Sequence, residues 1–560
     1  MNLTYTATVS YFWGGLFMNV IIGNAWPYAN GPLHLGRIAV LMPGDILARY
    51  HRLMGDNVVF ISGSDSHGTL VDNKAKEEGQ APEETAEKYH NELVKCFNKL
   101  NFSFDLFTKT HTEYHMKKVQ EFILDLYNKG YIYEKEIEQT YCSECNTFLL
   151  DKSIKGKCPK CFGDTTGEQC NKCSKIFDLD ELIDTQCRYC EAKTQMKKSK
   201  HLFFALSKFE NDVKRLFIKQ QGWRENANSI TKRYLDEGLR DRAVTRDFHW
   251  GVDVPLEGYE DKKIYVWIEA VLGYLTASMK CLEERGEDYR EYWEGDDSRV
   301  YFVHGKDNIP FHTVIFPSLL AGLGIKHPNI REVSSEYLKL EGKQFSTTKN
   351  WAIWVDHVAE NYNVDSLRYY LMMNGPEKKD SDFRWREFIS VNNNDLAGQY
   401  GNFVNRTLTF IKNNFDGKIP DGNMSKDMKD RLFDLYFDVG DLIEEGRFKE
   451  GLSKIITLVK YSNKYFDDEM PWKTIESNKN KCADTIYTCV QLIVNFSNLF
   501  EPFMPESSAK IKKFFGIEKS DWRYTEKTSG KVENLEVLFT KIDKSNIDLE
   551  LSKLKIEFKQ

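Results

Sequence analysis

Residues 20–37 read Val-Ile-Ile-Gly-Asn-Ala-Trp-Pro-Tyr-Ala-Asn-Gly-Pro-Leu-His-Leu-Gly-Arg, and the fold class turns on how this stretch is parsed. Its first three residues are apolar and β-branched, the mark of a buried strand. Asn24, Pro27, Asn30, Gly31 and Pro32 then gather turn formers. Beyond them Leu35, Ile38, Ala39, Leu41 and Met42 recur at helical spacing. The order is therefore strand, tight turn, helix N-terminus. A helix N-terminus carries unpaired N–H groups and the positive end of the dipole, and anions bind there. His34 and Gly36 fall on the first turn. His34 can donate to a phosphate, and Gly36 lets a backbone or nucleotide come close.

Further strands follow. Residues 57–61 (Asn-Val-Val-Phe-Ile) read as one, leading into Ser62-Gly63-Ser64-Asp65-Ser66-His67-Gly68-Thr69. Polar loops at the C-terminal ends of strands hold the ligands of doubly wound sheets, which makes Asp65 a candidate anion for a substrate cation. Residues 263–268 (Lys-Ile-Tyr-Val-Trp-Ile) read as a strand continued by Glu269, Ala270 and Tyr274. Residues 299–304 read as another, followed by Gly305-Lys306-Asp307-Asn308-Ile309-Pro310-Phe311-His312. These loops converge on one crevice, with Tyr28, Trp267, Tyr274 and Phe311 as candidate walls of an apolar pocket. Residues 336–353 place a loop rich in Lys and hydroxyl groups after a strand, suited to a mobile phosphate clamp.

At 560 residues the chain has room for about three or four domains. Lys and Arg number 77 against 84 Asp and Glu, a net charge of −7. That balance excludes a bulk nucleic-acid coat but leaves room for a local basic face. No run nears the roughly 20 apolar residues of a membrane span. The first 17 residues contain no Lys or Arg, so they lack the charged start of a signal peptide. Met18, just before the first strand, is expected to be the native start, with Trp13-Gly14-Gly15 a purine-rich ribosome-binding site read as protein. Of 12 cysteines, eight form Cys-x-x-Cys pairs within 49 residues: Cys142/Cys145, Cys158/Cys161, Cys170/Cys173 and Cys187/Cys190. Four such pairs suit two closed tetrahedral zinc sites of structural type in a reducing compartment, and spacing alone leaves their pairing open.

From residue 380 the pattern turns helical, over 402–411, 427–447, 450–466 and 484–501, as in a helix bundle. Asn402 and Arg406, four apart, face one way. Residues 467–472 end a helix and present Trp472. Arg and Asn can bond base edges, and Trp can stack on an unpaired base.

The run Ala-x-Pro-Tyr-Ala-Asn-Gly-x-Leu-His-Leu-Gly resembles the adenylate-forming signature of class I aminoacyl-tRNA synthetases in its methionyl form. The resemblance covers residues 18–545 and implies an α/β fold: a Rossmann-like, doubly wound parallel sheet split by a zinc-binding insertion, then an all-α anticodon-binding domain. The implied activity is that of a methionine--tRNA ligase. It joins L-methionine to ATP as methionyl-adenylate, then passes it to the 3′ end of tRNA(Met) with a CAU anticodon. Arg37 stands where the signature usually has its second His. Gln344-Phe345-Ser346-Thr347-Thr348 occupies the register of the Lys-Met-Ser-Lys-Ser signature, so both signature lysines are missing, with Lys343 and Lys349 flanking it.

By the resemblance, His34, Arg37, Lys343 and Lys349 are catalytic. His34, Gly36, Arg37, Lys306, Asp307, Ser346 and Thr347 bind ATP, with Mg²⁺. Ala25, Trp26, Tyr28, Asp65, Trp267, Ala270, Tyr274 and His312 hold methionine, where Trp26 departs from the smaller apolar residue usual there. Asn402, Arg406 and Trp472 read the anticodon. Nested zinc pairing is implied, Cys142/Cys145 with Cys187/Cys190 outside and Cys158/Cys161 with Cys170/Cys173 inside. The expected layout is an extension at 1–17, the catalytic domain at 18–130 and 256–330, the insertion at 131–255, a stem-contact region at 331–379, the anticodon domain at 380–520 and a charged tail at 521–560. A monomer in the cytoplasm is expected, since no tRNA-binding barrel follows the tail. Two other readings are a methionine-adenylating paralogue acting on a non-tRNA acceptor and a non-catalytic RNA-binding relative.

Overall fold

The run at 19–24 becomes β1 (Asn19–Asn24), the middle of a five-stranded parallel sheet. The computed structural model describes residues 17–149, 153–166, 172, 181–220, 222–326, 329–347, 349–532 and 535–554. The expected extension thus lies, except for Phe17, outside the described residues, as do Cys170 and Cys173. β1 is followed by α1 (Leu35–Met54), β2 (Asn57–Ser64) and β3 (Leu106–Lys109). After an insertion come α2 (Val266–Arg285), β4 (Ser298–Gly305) and β5 (Ile330–Ser335). The strand order is β5-β4-β1-β2-β3, and every pair is parallel.

Central strands of a parallel sheet are covered on both faces, and their side chains divide by alternation. Val20, Ile22, Val58, Phe60, Tyr301 and Val303 pack on the face that continues through α1 into the C-terminal helices. Ile21, Val59, Ile61, Val300 and Phe302 face the core built on α2 and the helix Glu113–Asn128. The insertion leaves and returns as one long antiparallel ribbon, Ile132–Cys142 against Gln195–Phe204, with Cys142, Cys145, Cys187 and Cys190 at its far end.

One expected element is wrong. Strand structure ends at Ile264, which pairs with Thr245, and Val266 opens the helix α2 instead of continuing a strand through Ile268. A helix buried on most of its circumference is as continuously apolar as a central strand, so periodicity cannot separate them. Val266, Ile268, Val271, Leu272, Tyr274 and Leu275 are all buried. The correction matters for the site, because Trp267, Ala270 and Tyr274 become neighbours on one helical face.

The C-terminal helices α3 (Asn402–Asn414), α4 (Lys426–Glu444), α5 (Phe448–Glu469) and α6 (Lys479–Phe500) form the bundle. Between sheet and bundle, the helix Val364–Met373 carries the fully buried Arg368. Its guanidinium reaches Asp45 of α1 at 2.5 Å and donates to the carbonyls of Leu100, Pro502 and Phe503. No helix among the described residues is long and apolar enough to cross a membrane.

Candidate active site

α1 opens at His34, whose extended backbone (φ −111°, ψ 159°) supplies no side-chain cap of its own. Leu35 N–H donates to Ile353 O and Val355 N–H to Leu33 O, stitching the turn to the loop after the clamp. The His34 ring lies flat on Phe345, 4.9 Å between centroids, and edge-on to Trp354. A side chain at position 36 would press on both rings, so Gly36 permits this stack. Burial, then the Arg37 charge, hold His34 down at about 3, so its ring is neutral and Nδ1 is buried without a partner. Burial also lowers Arg37, which remains a guanidinium at neutral pH. His34, Arg37, Tyr28, Asp307 and Thr347 line a cleft of about 1640 Å³.

A smaller cavity of about 90 Å³ adjoins it, lined by all eight residues expected at the methionine site together with Val271, Asn308 and Phe311. Tyr28 joins the two spaces, accepting from Trp267 Nε1 at 2.8 Å. The signature turn holds Asp65 by its backbone: Asp65 N–H donates to Pro27 O, and Ala29 N–H to Asp65 O, both at 2.8 Å. Burial, then the nearby Glu269, push the Asp65 carboxyl well above the usual range, and its Oδ1 has no partner. Glu269 is itself buried and is held by His67 Nδ1 at 2.7 Å. Asp65 lines the small cavity with an unsatisfied buried oxygen, and Glu269 behind it has another, an arrangement suited to a cationic group.

Trp26 fits because β2 and α2 each offer a glycine beneath it. A Cβ on Gly63 would lie 2.4 Å from the indole, and one on Gly273 2.8 Å. Opposite, His312 Nδ1 donates to Asn308 O at 2.8 Å, so its Nε2 is left to accept from Tyr274 O–H at 2.9 Å. Burial lowers His312 to about 3, keeping it neutral.

The expected phosphate-clamping lysines are not gathered at the cleft. Lys306 is tied to Glu336 at 2.5 Å and Asp380 at 3.3 Å and lies over the Tyr337 ring. Lys343 and Lys349 are exposed, Lys343 over Trp351. Ser346 is fixed by a backbone bridge to Trp351. Conversely, Glu269, His67, Phe345 and Trp354 belong to the site and were not singled out by sequence. Glu269 stands within the motif around Trp267, but nothing local says that it meets His67 and acts on the Asp65 carboxyl.

In the insertion, the sulfurs of Cys142, Cys145, Cys187 and Cys190 lie within 4.8 Å of one another. Cys142 and Cys190 sulfurs are 3.4 Å apart, Cys145 and Cys187 sulfurs 3.8 Å. Four thiols at the edge lengths of a tetrahedron with metal–sulfur bonds of about 2.3 Å fit zinc and leave no open position for water. Of the other four, Cys158 is buried and Cys161 half-buried.

In the bundle, Asn402 and Arg406 of α3 face Asn463 and Asp467 of α5, at 3.4 and 2.6 Å. Arg406 lies over the Phe466 ring, and Trp472, 45% exposed, stands 6.1 Å from it. The three expected RNA-reading residues therefore share one surface.

A parallel sheet that aims a helix N-terminus at an open cleft, beside a small pocket with a buried acid in its wall, has the layout of a nucleotide-dependent enzyme for a small amine-bearing substrate. Comparison with known proteins sharpens this. The family model described as tRNA synthetases class I (M) matches residues 20–408, and the anticodon binding domain of methionyl tRNA ligase matches residues 421–551. Methionine--tRNA ligase 1 of Alkaliphilus oremlandii is 48% identical over 539 residues, covering 96% of this chain and 100% of the relative. A methionine--tRNA ligase of Bacillus anthracis is 48% identical over 540 residues, covering 96% and 99%. The fold is similar to that of a Mycobacterium tuberculosis methionyl-tRNA synthetase bound by methionyl-adenylate, with a TM-score of 0.77 at 23% identity, covering 93% of this chain and 100% of that one. The chain belongs to the methionyl-tRNA synthetase family of class I tRNA synthetases.

Proposed function

We propose that this chain acts as a methionine--tRNA ligase through the two adjoining spaces just described. The observation that carries the reading is their junction: Tyr28 lines both, and the turn that presents His34 also holds Asp65. Methionine enters the smaller cavity with its ammonium on Asp65, its side chain among Trp26, Ala270, Tyr274 and His312, and Ala25 and Trp267 at the mouth. Its carboxylate then points toward the larger cleft and attacks the α-phosphate of ATP, releasing pyrophosphate. The enzyme contributes placement and charge stabilisation of the phosphoryl group. Neutral His34 and charged Arg37 donate to phosphate oxygens at the start of α1, Gly36 leaves them room, and Asp307 and Thr347 border the nucleotide. Lys343, Lys349 and Ser346 take part after the loop that carries them moves inward, and Lys306 after it leaves Glu336 and Asp380, since none of these lysines borders the cleft at rest. The tRNA terminal ribose hydroxyl then attacks the adenylate carbonyl.

Bound Mg²⁺ would supply charge neutralisation on the phosphates. Cys142, Cys145, Cys187 and Cys190 would hold a structural zinc ion, and Cys158, Cys161, Cys170 and Cys173 would hold a second. Asn402, Arg406 and Trp472 read the CAU anticodon of tRNA(Met). The protein works as a cytoplasmic monomer, where reduced thiols persist. Purified, zinc-loaded protein should catalyse methionine-dependent ATP–pyrophosphate exchange and charge a CAU transcript. Absence of exchange with methionine overturns the reading.

A further inference from the structure

Asp65 has no cation of its own in the resting site. One of its carboxyl oxygens accepts from the His67 backbone N–H, and Oδ1 is buried with no partner. No cationic group is among those that act on it. The acid behind it is better served. Glu269 Oε1 lies 2.7 Å from His67 Nδ1, so a side-chain donor holds it.

Two buried acids that feel each other's charge, with no cation between them, do not both ionise, so the pair keeps one proton. The partners decide which acid keeps it. Glu269 has the His67 ring, whereas Asp65 has a single backbone N–H. The charge therefore rests on Glu269 and the proton on Asp65. Burial, then the Glu269 charge, push the Asp65 carboxyl up in the same sense. The other titratable groups around it are Tyr28 from the signature turn, His67 and His111 behind it, His115 from the helix Glu113–Asn128, and Tyr274 and His312 across the small cavity. Burial holds the rings of His115 and His312 at about 3, so both are neutral, and raises Tyr28 to about 12, so it stays a phenol. Arg37 and Arg246 border the larger cleft, and Arg246 lies over the Tyr265 ring and donates to Thr245 O.

We propose that substrate binding is proton-coupled: Asp65 rests as a carboxylic acid and releases its proton as the methionine ammonium docks, and Glu269 is the positioning residue that keeps that proton on Asp65 until then. The Asp65 O–H bond breaks, its electron pair stays on the carboxylate, and the proton leaves to solvent by the adjoining cleft. The ammonium keeps all its hydrogens. This inference rests on the placement of that ammonium on Asp65. Its sign is fixed: a proton that must leave for the cation to bind makes binding tighter as pH rises, until the resting acid is itself ionised.

Calorimetric titration of the zinc-loaded full chain with methionine, at pH 6.5 in PIPES and in ACES, counts the protons, because the two buffers differ in heat of ionisation. Methionine itself exchanges none at that pH. The intact protein should release close to one proton per methionine, and a count below about 0.1 overturns the inference. Tryptophan fluorescence gives a second reading, since Trp26 and Trp267 line the cavity. The Kd for methionine should fall about tenfold from pH 5.5 to 6.5 in the intact protein and stay flat in Asp65→Asn. Glu269→Gln, which keeps an acceptor for His67 but loses the charge, should lower the proton count at pH 6.5, and Glu269→Asp should restore it. Equal counts for the intact protein and Glu269→Gln overturn the role of Glu269. If Asp65→Asn binds methionine as tightly as the intact protein at pH 8, the ammonium placement itself falls. If it binds more weakly while the intact protein releases no proton, only the proton coupling falls.

Discussion

Replacing Asp65 with Asn tests the heart of the site, because the structure predicts opposite effects on binding and on stability. Removing one partner of a buried charge pair costs about 2–5 kcal/mol. The Asn amide oxygen can still accept from the ammonium, so the lower end applies, about 2–3 kcal/mol, or about 30- to 150-fold in methionine KM. The KM for ATP should not move. Without substrate, the same carboxyl is a burden, raised by burial and by Glu269. A carboxyl whose folded pKa lies above its unfolded value of 3.8 stabilises the fold relative to neutral pH only while protonated, and that contribution fades as pH rises through the folded pKa. Asn carries no such penalty. At pH 7–8 the variant should therefore be more stable by about 0.5–2 kcal/mol, a Tm gain of about 1–3 °C, and the gain should shrink toward pH 4. Exchange kinetics and differential scanning fluorimetry across pH give both readings on one preparation. Unchanged methionine KM, or a lower Tm at every pH, would refute the assignment of Asp65 as the ammonium receptor.

Other consequences can be checked as directly. Trp472→Ala should leave pyrophosphate exchange intact and lower kcat/KM for a CAU transcript about 5- to 150-fold, the worth of about 1–3 kcal/mol for one stacked base. Equal loss in both assays contradicts a role confined to RNA. Cys145→Ser should lower zinc content, measured by atomic absorption, and speed proteolysis between residues 140 and 195, since a metal there would hold a lobe with little apolar core. An unchanged digestion pattern excludes the cluster as a support of that lobe. Asp45, paired with Arg368 and Arg49, is held down at about 2 against an unfolded 3.8. A lowered carboxyl pKa stabilises above the unfolded value, by about 2 kcal/mol here, with about half of that gone by pH 3. Urea unfolding of Asp45→Asn should show a deficit at pH 7 that narrows at pH 3, and a deficit independent of pH contradicts the pairing.

The parts legible in sequence were those encoded locally. The strand, turn and helix at 20–37 announce themselves through composition and period, and the alternation of β1, β2 and β4 is fixed once both faces are buried. The bundle shows through helical spacing, and the cluster of Cys142, Cys145, Cys187 and Cys190 through paired cysteines. Illegible were the features made by distant residues meeting. Residues 266–268 look β-like because α2 is surrounded by core. Glu269 reaches His67 beside Asp65, and Glu332 reaches His304, only after the sheet forms. The motif register put Lys306 and Lys343 at the phosphates, yet in the folded chain each is engaged elsewhere, because Glu336, Asp380 and the Trp351 ring offer nearer partners.

The indole of Trp26 has an evolutionary corollary. It sits in hollows left by the missing side chains of Gly63 and Gly273. Adding a methyl at either glycine collides with the ring, and shrinking the ring alone opens a void, so any path to a differently shaped wall needs coordinated change at three sites. A compound contoured to the indole's edge would, for the same reason, keep its grip on this pocket through most single-step escape routes.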